Sequence, residues 1–330
     1  MNKNSFLFSG QGSQVPGMGK SLYDKISASR AVFETADRVL GWKISELCFW
    51  GTQEELNQTH NTQPCMLAVD LALYAAMVEK GVRPYAVAGF SLGEYAALVA
   101  AGVLTAEDAF RIIQVRADAM QEAVPMEAGA MAAVMKITPQ EVAALCEEID
   151  GYIVPTNYNS PEQTVVSGET AAVEKFLLLA KKRKIRALKL PVSAPFHCEL
   201  MAPAKAALEK VFQGVAFSDA ALPLYMNVDG KPHRKAEDIQ NCVLLQTISP
   251  VRWTDTIYYM AQDGIDEFIE LGTGHTLQNF VKKIVPNRKT ACVQDAESLC
   301  KIVAEYSVDS DEKESNAFGG ANDESNGPDR

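Results

Sequence analysis

A serine flanked by glycines, in Gly89-Phe90-Ser91-Leu92-Gly93, sits between a short apolar run, Ala86 to Ala88, and a helical pattern reaching Ala100. That setting fits a nucleophile elbow: glycines permit close backbone approach, the sharp turn exposes the hydroxyl, and the helix N-terminus favours developing negative charge. A packed glycine turn would carry the same five letters, so the motif takes its meaning from the strand and helix around it. A serine needs a base, and histidine is the side chain whose unperturbed pKa lies nearest neutrality. The chain has four. His60, in Gln58-Thr59-His60-Asn61, and His233, in a Lys-Pro-His-Arg turn, read as surface positions, while His275 precedes a helix that it would cap or pack against. His197 ends the extended, partly apolar run Val192-Ser193-Ala194-Pro195-Phe196-His197, which could aim its ring at a site. Pattern alone puts His197 foremost and leaves the other three open.

An ordinary α/β-hydrolase places several strands before its nucleophile and an Asp or Glu between Ser and His. Only two strands are predicted before Ser91, and no acidic residue stands out in a third role. Something else must orient His197.

The elements that would carry these residues follow from periodicity. Strand-like Ser5 to Phe8 runs into Ser9-Gly10-Gln11-Gly12-Ser13-Gln14, which can continue neither strand nor helix and reads as a loop at a strand end. Helices are predicted from Ile26 to Leu40, from Cys65 to Lys80 after Pro64, and from Thr105 to Ala123, the last with Thr105 as N-cap and Arg116 on its length. From Gly129 the order becomes strand (Ala130 to Met135), helix (Thr138 to Glu148), strand (Tyr152 to Tyr158), strand (Thr164 to Ser167), helix (Thr170 to Lys182), strand (Arg186 to Leu190). This β-α-β-β-α-β order is that of a ferredoxin-like unit. Alternation of β and α then resumes: strand Leu224 to Asn227, helices Asp238 to Gln246 and Thr254 to Asp263, strand Glu267 to Leu271, helix Thr276 to Ile284. The fold class is α/β, with the ferredoxin-like unit (126–197) inserted into a larger domain (1–125 and 198–307).

Composition narrows the function classes. Among 330 residues, 47% are hydrophobic, enough for a substantial core. The seven scattered cysteines form no CxxC or zinc-ligand pattern, favouring reduced thiols in a cytoplasmic protein and no metal. The N-terminus shows no secretory signal pattern, and Tyr85 to Leu104, the most membrane-like stretch, contains Glu94 and two glycine turns, so no membrane span is expected. A net charge of −11 opposes nucleic-acid binding. Nearly half of it comes from the last residues, where 308–330 read as a disordered acidic tail.

Several separated segments together resemble the malonyl-CoA:acyl carrier protein transacylases. They are Phe8-Ser9-Gly10-Gln11-Gly12-Ser13-Gln14, Gly89-Phe90-Ser91-Leu92-Gly93-Glu94-Tyr95, Arg116 with Met120-Gln121, Asn157-Tyr158-Asn159-Ser160-Pro161, Ser193-Ala194-Pro195-Phe196-His197 and Pro250-Val251-Arg252-Trp253. The resemblance covers roughly residues 3 to 305 and implies a hydrolase-like core with a parallel sheet, a ferredoxin-like subdomain and an active site between them. It implies ping-pong transfer of malonyl from malonyl-CoA, through Ser91 with His197 as base, to the phosphopantetheine thiol of acyl carrier protein. Backbone N–H groups of Gln11 and Leu92 would form the oxyanion hole, the main-chain carbonyl of Gln246 would orient His197, and Arg116 would grip the malonyl carboxylate. An arginine buried there without an anionic substrate is expected to be left unpaired at considerable cost. No cofactor is implied, the carrier-protein encounter is transient, and the enzyme is expected to act as a monomer, supplying extender units for fatty acid biosynthesis.

Phe90 stands where many relatives have histidine and Ser9 where many have proline, which bears on acyl preference rather than on the catalytic groups. The basic run Lys181-Lys182-Arg183-Lys184, with Arg186 and Lys189, would meet coenzyme A phosphates or an acidic carrier, or would only complement a helix C-terminus. Rival readings are a trans-acting malonyltransferase of a polyketide synthase, an acyl-thioester hydrolase using the same Ser91 and His197, and a silent carrier-binding module.

Overall fold

The computed structural model describes residues 3–125, 127–192 and 194–306; the tail read over 308–330 lies outside them. Strand β1 (Asn4–Phe8) is followed by helices α1 (Lys20–Lys25), α2 (Ser27–Leu40), α3 (Ile44–Trp50), α4 (Gln53–Leu56) and α5 (Thr59–Glu79). Strand β2 (Ala86–Gly89) leads into α6 (Gly93–Ala100) and α7 (Ala106–Glu122). The inserted unit comprises β3 (Gly129–Met135), α8 (Pro139–Glu147), β4 (Ile153–Ser160), β5 (Gln163–Glu169), α9 (Thr170–Lys182) and β6 (Arg186–Lys189). After a 3₁₀ turn over Glu199–Met201 come α10 (Ala202–Phe212), β7 (Leu224–Tyr225), β8 (Pro232–His233), α11 (Ala236–Gln246), α12 (Trp253–Gln262), β9 (Glu267–Leu271), α13 (Thr276–Ile284) and β10 (Lys289–Val293), with 296–306 helical.

The main sheet has the order β10-β9-β1-β2-β7-β8, parallel throughout except that β8 runs antiparallel to β7. Strand β1 lies at its centre with all five residues buried, because helices cover both faces and a central parallel strand must be apolar on both sides. Phe6 and Phe8 point into the larger core beneath α5 and α6, while Leu7 points the other way, among Trp253, Phe268 and Val281.

The second sheet has the order β4-β5-β3-β6 with every neighbour antiparallel, the ferredoxin-like arrangement. Along β3, Ala130, Ala132 and Val134 face α8 and α9, and Met131 and Ala133 face the main domain. Helix α8 starts where the sequence directs it: Thr138 and Glu141 form a reciprocal capping box and Pro139 takes the first turn. Val251 stitches the units together, donating to Thr156 O and accepting from Tyr158 N–H, each at 2.9 Å.

One helix boundary departs from expectation. Helix α5 begins at Thr59, so Pro64 lies inside it and His60 is in its first turn rather than in a loop. Proline removes one helical hydrogen bond. The turn before it is held instead by Asn61 and Thr62 N–H groups on Gln58 O, both at 2.8 Å, and by Asn61 Nδ2 on Glu55 O. Among the described residues no helix is long and apolar enough to cross a membrane; Tyr85 to Leu104 contains β2, the Ser91 turn and α6.

Candidate active site

Ser91 lies between the carboxyl end of β2 and the start of α6, at the strand ends where parallel α/β sheets present ligand sites. The turn is so tight that a Cβ on Gly89 would fall on the Gly93 carbonyl, and one on Gly93 on the carbonyls of Phe8 and Ser9. Ser91 itself has φ 54°, and His197 has φ 62°, the left-handed region that strains a residue with a side chain. Both residues facing the reaction centre are thus held in conformations their neighbours must enforce.

Ser91 Oγ is 2.7 Å from His197 Nε2, and His197 Nδ1 is 2.9 Å from the main-chain oxygen of Gln246. A carbonyl only accepts, so Nδ1 carries the proton and Nε2 presents its lone pair to the serine hydroxyl. Burial, reinforced by the Arg116 charge, pushes the His197 pKa down to about 4, so the ring is neutral and able to accept a proton at pH 7. The other three histidines stand elsewhere. His60 Nδ1 pairs with Gln121 Oε1 at 3.0 Å, His233 Nε2 with Asp229 at 3.0 Å, and His275 occupies the N-cap position of α13 without a side-chain cap bond.

Arg116, 1% exposed, extends from α7 to the floor of the site. Its Nη1 donates to Gln63 Oε1 at 2.6 Å, and its Nη2 to Gln246 Oε1 at 2.9 Å and Ser91 Oγ at 3.3 Å. Among the described residues no carboxylate pairs with the guanidinium and its buried Nε has no acceptor; two glutamines hold the rest of it. Amide oxygens bear no net charge, so these bonds orient the arginine without neutralising it. Burial lowers its pKa, and a cation in the wall of an enclosed site favours an anion beside it.

These groups line a cavity of about 190 Å³ together with Gln11, Leu92, Asn157, Asn159 and the apolar Phe90, Met120 and Met131. Among the described residues, neither the Gln11 nor the Leu92 N–H donates to a protein acceptor. Leu92 is the N-cap of α6, so its N–H also lies at the positive end of the helix dipole. Phe90 packs edge-on against Trp253, with ring centroids 5.4 Å apart, closing one wall. Of the basic run, Arg183 pairs with Glu148 and Lys189 with Glu174, both at the surface.

Sequence reasoning missed three polar residues here. Gln63 was hidden by the late start assigned to α5. Asn227 Oδ1 accepts the Ser91 N–H at 2.7 Å, and Glu94 Oε2 accepts the Asn227 N–H at 2.7 Å. Glu94 lay inside a quoted motif, but only its position one residue past the second glycine marked it.

A doubly flanked α/β sheet with a serine at an elbow, a carbonyl-oriented histidine and a buried arginine is the architecture of an acyl-transferring domain, and residues 5–322 match the family model described as "Acyl transferase domain". Within that class the similarity is specific. The chain is 40% identical over 303 residues to the malonyl CoA-acyl carrier protein transacylase of Bacillus subtilis (strain 168), covering 91% of this chain and 96% of that protein. It is 38% identical over 303 residues to the protein of the same name from Escherichia coli (strain K12), covering 91% and 98%. A crystal structure of the Clostridium perfringens malonyl CoA-acyl carrier protein transacylase superposes with a TM-score of 0.90 at 37% identity, covering 94% of this chain and 99% of that one. Another neighbour, a malonyl-transacylase in complex with its type II PKS acyl-carrier protein, gives 0.89 at 38% identity, covering 92% and 99%. The chain belongs to the malonyl CoA-acyl carrier protein transacylase family.

Proposed function

We propose that this protein transfers a malonyl group from malonyl-CoA to the phosphopantetheine thiol of acyl carrier protein, through a malonyl ester on Ser91. The observation that carries the proposal is the convergence of Ser91 Oγ, His197 Nε2 and Arg116 Nη2 within hydrogen-bonding distance at one end of the cavity. Ser91 Oγ attacks the thioester carbonyl as its proton passes to His197 Nε2, and the tetrahedral oxyanion rests on the Gln11 and Leu92 N–H groups. Collapse expels coenzyme A thiolate, which takes the proton from His197. The carrier thiol then gives its proton to His197 and attacks the ester, and Ser91 recovers that proton on leaving. Both halves balance with these residues and two thiols, so the scheme requires no cofactor.

Arg116 selects the acyl group. A carboxylate facing its guanidinium forms charge-assisted hydrogen bonds that a neutral acyl chain cannot, and a desolvated cation discriminates strongly between the two. The same carboxylate counters the positive field that depresses His197, raising the basicity of the ring when malonyl is present.

Supply of extender units for fatty acid biosynthesis fits the relatives' names, and the scattered free thiols fit a cytoplasmic setting; we take the acting form to be a monomer. A trans-acting role in a polyketide system is the second reading, favoured by the neighbour solved with its type II PKS carrier.

The test is intact-mass analysis after exposure to malonyl-CoA or acetyl-CoA. One malonyl adduct is expected on the wild type, discharged by holo carrier protein, with none on Ser91→Ala. Arg116→Ala should shift labelling towards acetyl. Equal wild-type labelling by both donors would overturn the role of Arg116, and rapid release of free malonate without carrier would replace the transferase with a hydrolase.

A further inference from the structure

Ser91, with its left-handed φ, gives its N–H to a side chain 136 positions away. The Asn227 amide bridges the elbow: Oδ1 accepts the Ser91 N–H and Nδ2 donates to Gly89 O, both at 2.7 Å. Its own N–H donates to Glu94 Oε2, also at 2.7 Å, and Glu94 lies in the first turn of α6, three residues past Ser91. The ring Gly89–Asn227–Glu94 therefore ties the end of β2, the strained serine and the start of α6 to one buried amide. Asn227 and Glu94 are both fully buried, and neither lines the cavity.

We propose that Asn227, backed by Glu94, is the positioning residue of the nucleophile elbow, holding Ser91 at the backbone angle from which Oγ reaches His197 and the Leu92 N–H is left free. Engaging the Ser91 N–H keeps it from the oxyanion site and leaves the next N–H, that of Leu92, for the charge. The amide satisfies both ends, because the serine offers a donor and the glycine an acceptor. Glu94 needs to accept one hydrogen bond rather than to be charged; burial pushes its carboxyl up to about 8, so glutamine is a close mimic of its neutral form.

The inference rests on the acyl-enzyme reading of Ser91, and single-turnover acylation by malonyl-CoA separates the two. The burst amplitude counts competent sites, and the rate constant measures the geometry within each. Asn227→Ala is expected to lower the acylation rate constant per competent site on the order of a hundredfold, the scale of an ångström misplacement, with KM for malonyl-CoA within about twofold. Asn227→Leu is a second probe of similar volume that removes both the acceptor for the Ser91 N–H and the donor to Gly89 O, and it should also fall. Glu94→Gln should keep the wild-type constant, while Glu94→Ala loses about tenfold. A merely structural role predicts reduced amplitude or melting temperature with an unchanged constant, and that result in any folded variant among Asn227→Ala, Asn227→Leu and Glu94→Ala overturns the proposal. A wild type that takes up no malonyl would instead sink the acyl-enzyme reading itself.

Discussion

Gln246 hydrogen-bonds Arg116 through its side chain and His197 through its main chain, so one residue at the end of α11 sets both the carboxylate-binding cation and the base. The same side chain donates from Nε2 to Ser91 O at 2.9 Å. The two functions separate under substitution. Gln246→Ala keeps the carbonyl that fixes the histidine tautomer but releases the guanidinium. Loss of the Nε2 bond to Ser91 O should slow acylation by either donor, and malonyl transfer should fall about tenfold further than acetyl transfer, the value of one to two hydrogen bonds. The malonyl-to-acetyl ratio in single-turnover assays measures this.

The pH dependence carries a definite sign. Because the folded His197 titrates near 4, acylation should hold level from pH 8 to about 5 and fall through about 4. Arg116→Gln removes a nearby positive charge, makes protonation easier and moves that limb upward; acetyl-CoA as donor isolates the effect from carboxylate binding. Stability follows the same linkage. The unfolded histidine binds a proton near 6.5, so folding stability falls as pH drops from about 6.5 to about 4, levels off below, and has no His197 contribution above. Comparing urea midpoints of wild type and His197→Gln over this window tests it.

The oxyanion assignment can be checked at a single atom. Replacing the Leu92 amide with an ester by semisynthesis deletes one N–H while keeping the side chain. Acylation should slow by about 10²- to 10³-fold with little change in KM. A tenfold rise in KM at constant kcat would place the Leu92 N–H in ground-state binding instead.

Trp253, fully buried and edge-on to Phe90, anchors the wall beside the nucleophile. Trp253→Ala should destabilise the fold by about 3–5 kcal/mol, read as a lower denaturant midpoint at unchanged slope.

Much of this was legible in the sequence where signals are local. The spans Glu267–Leu271, Thr276–Ile284 and Thr170–Lys182 coincide with their predicted ranges because periodicity and helix-end chemistry agree there. Helices α1, α3 and α4 escaped notice, being only six, seven and four residues long, too short to show a period. Strand β10 escaped because it lies at a sheet edge with only Val293 buried, so no alternation marks it. In the site, the glycine-framed serine announced itself, whereas Gln63 and Asn227 take their roles from partners 53 and 136 positions distant. A glutamine or asparagine carries no local mark of such a task.

The pairing of β1 with β9 bears on how the protein is made. The first strand leaves the ribosome with its β9 partners still about 260 codons from translation, a separation that makes the central sheet a late assembly. Apart from the single bridge of Asn157 to Val251, the strands β3–β6 pair only among themselves, and that unit is free to form earlier. Ser91 and Arg116 are thus synthesised well before the carbonyl of Gln246 and the amide of Asn227 exist. A chain interrupted before α11 would carry Ser91, His197 and Arg116 but not the carbonyl that orients the base, so its serine is expected to react slowly with acyl thioesters.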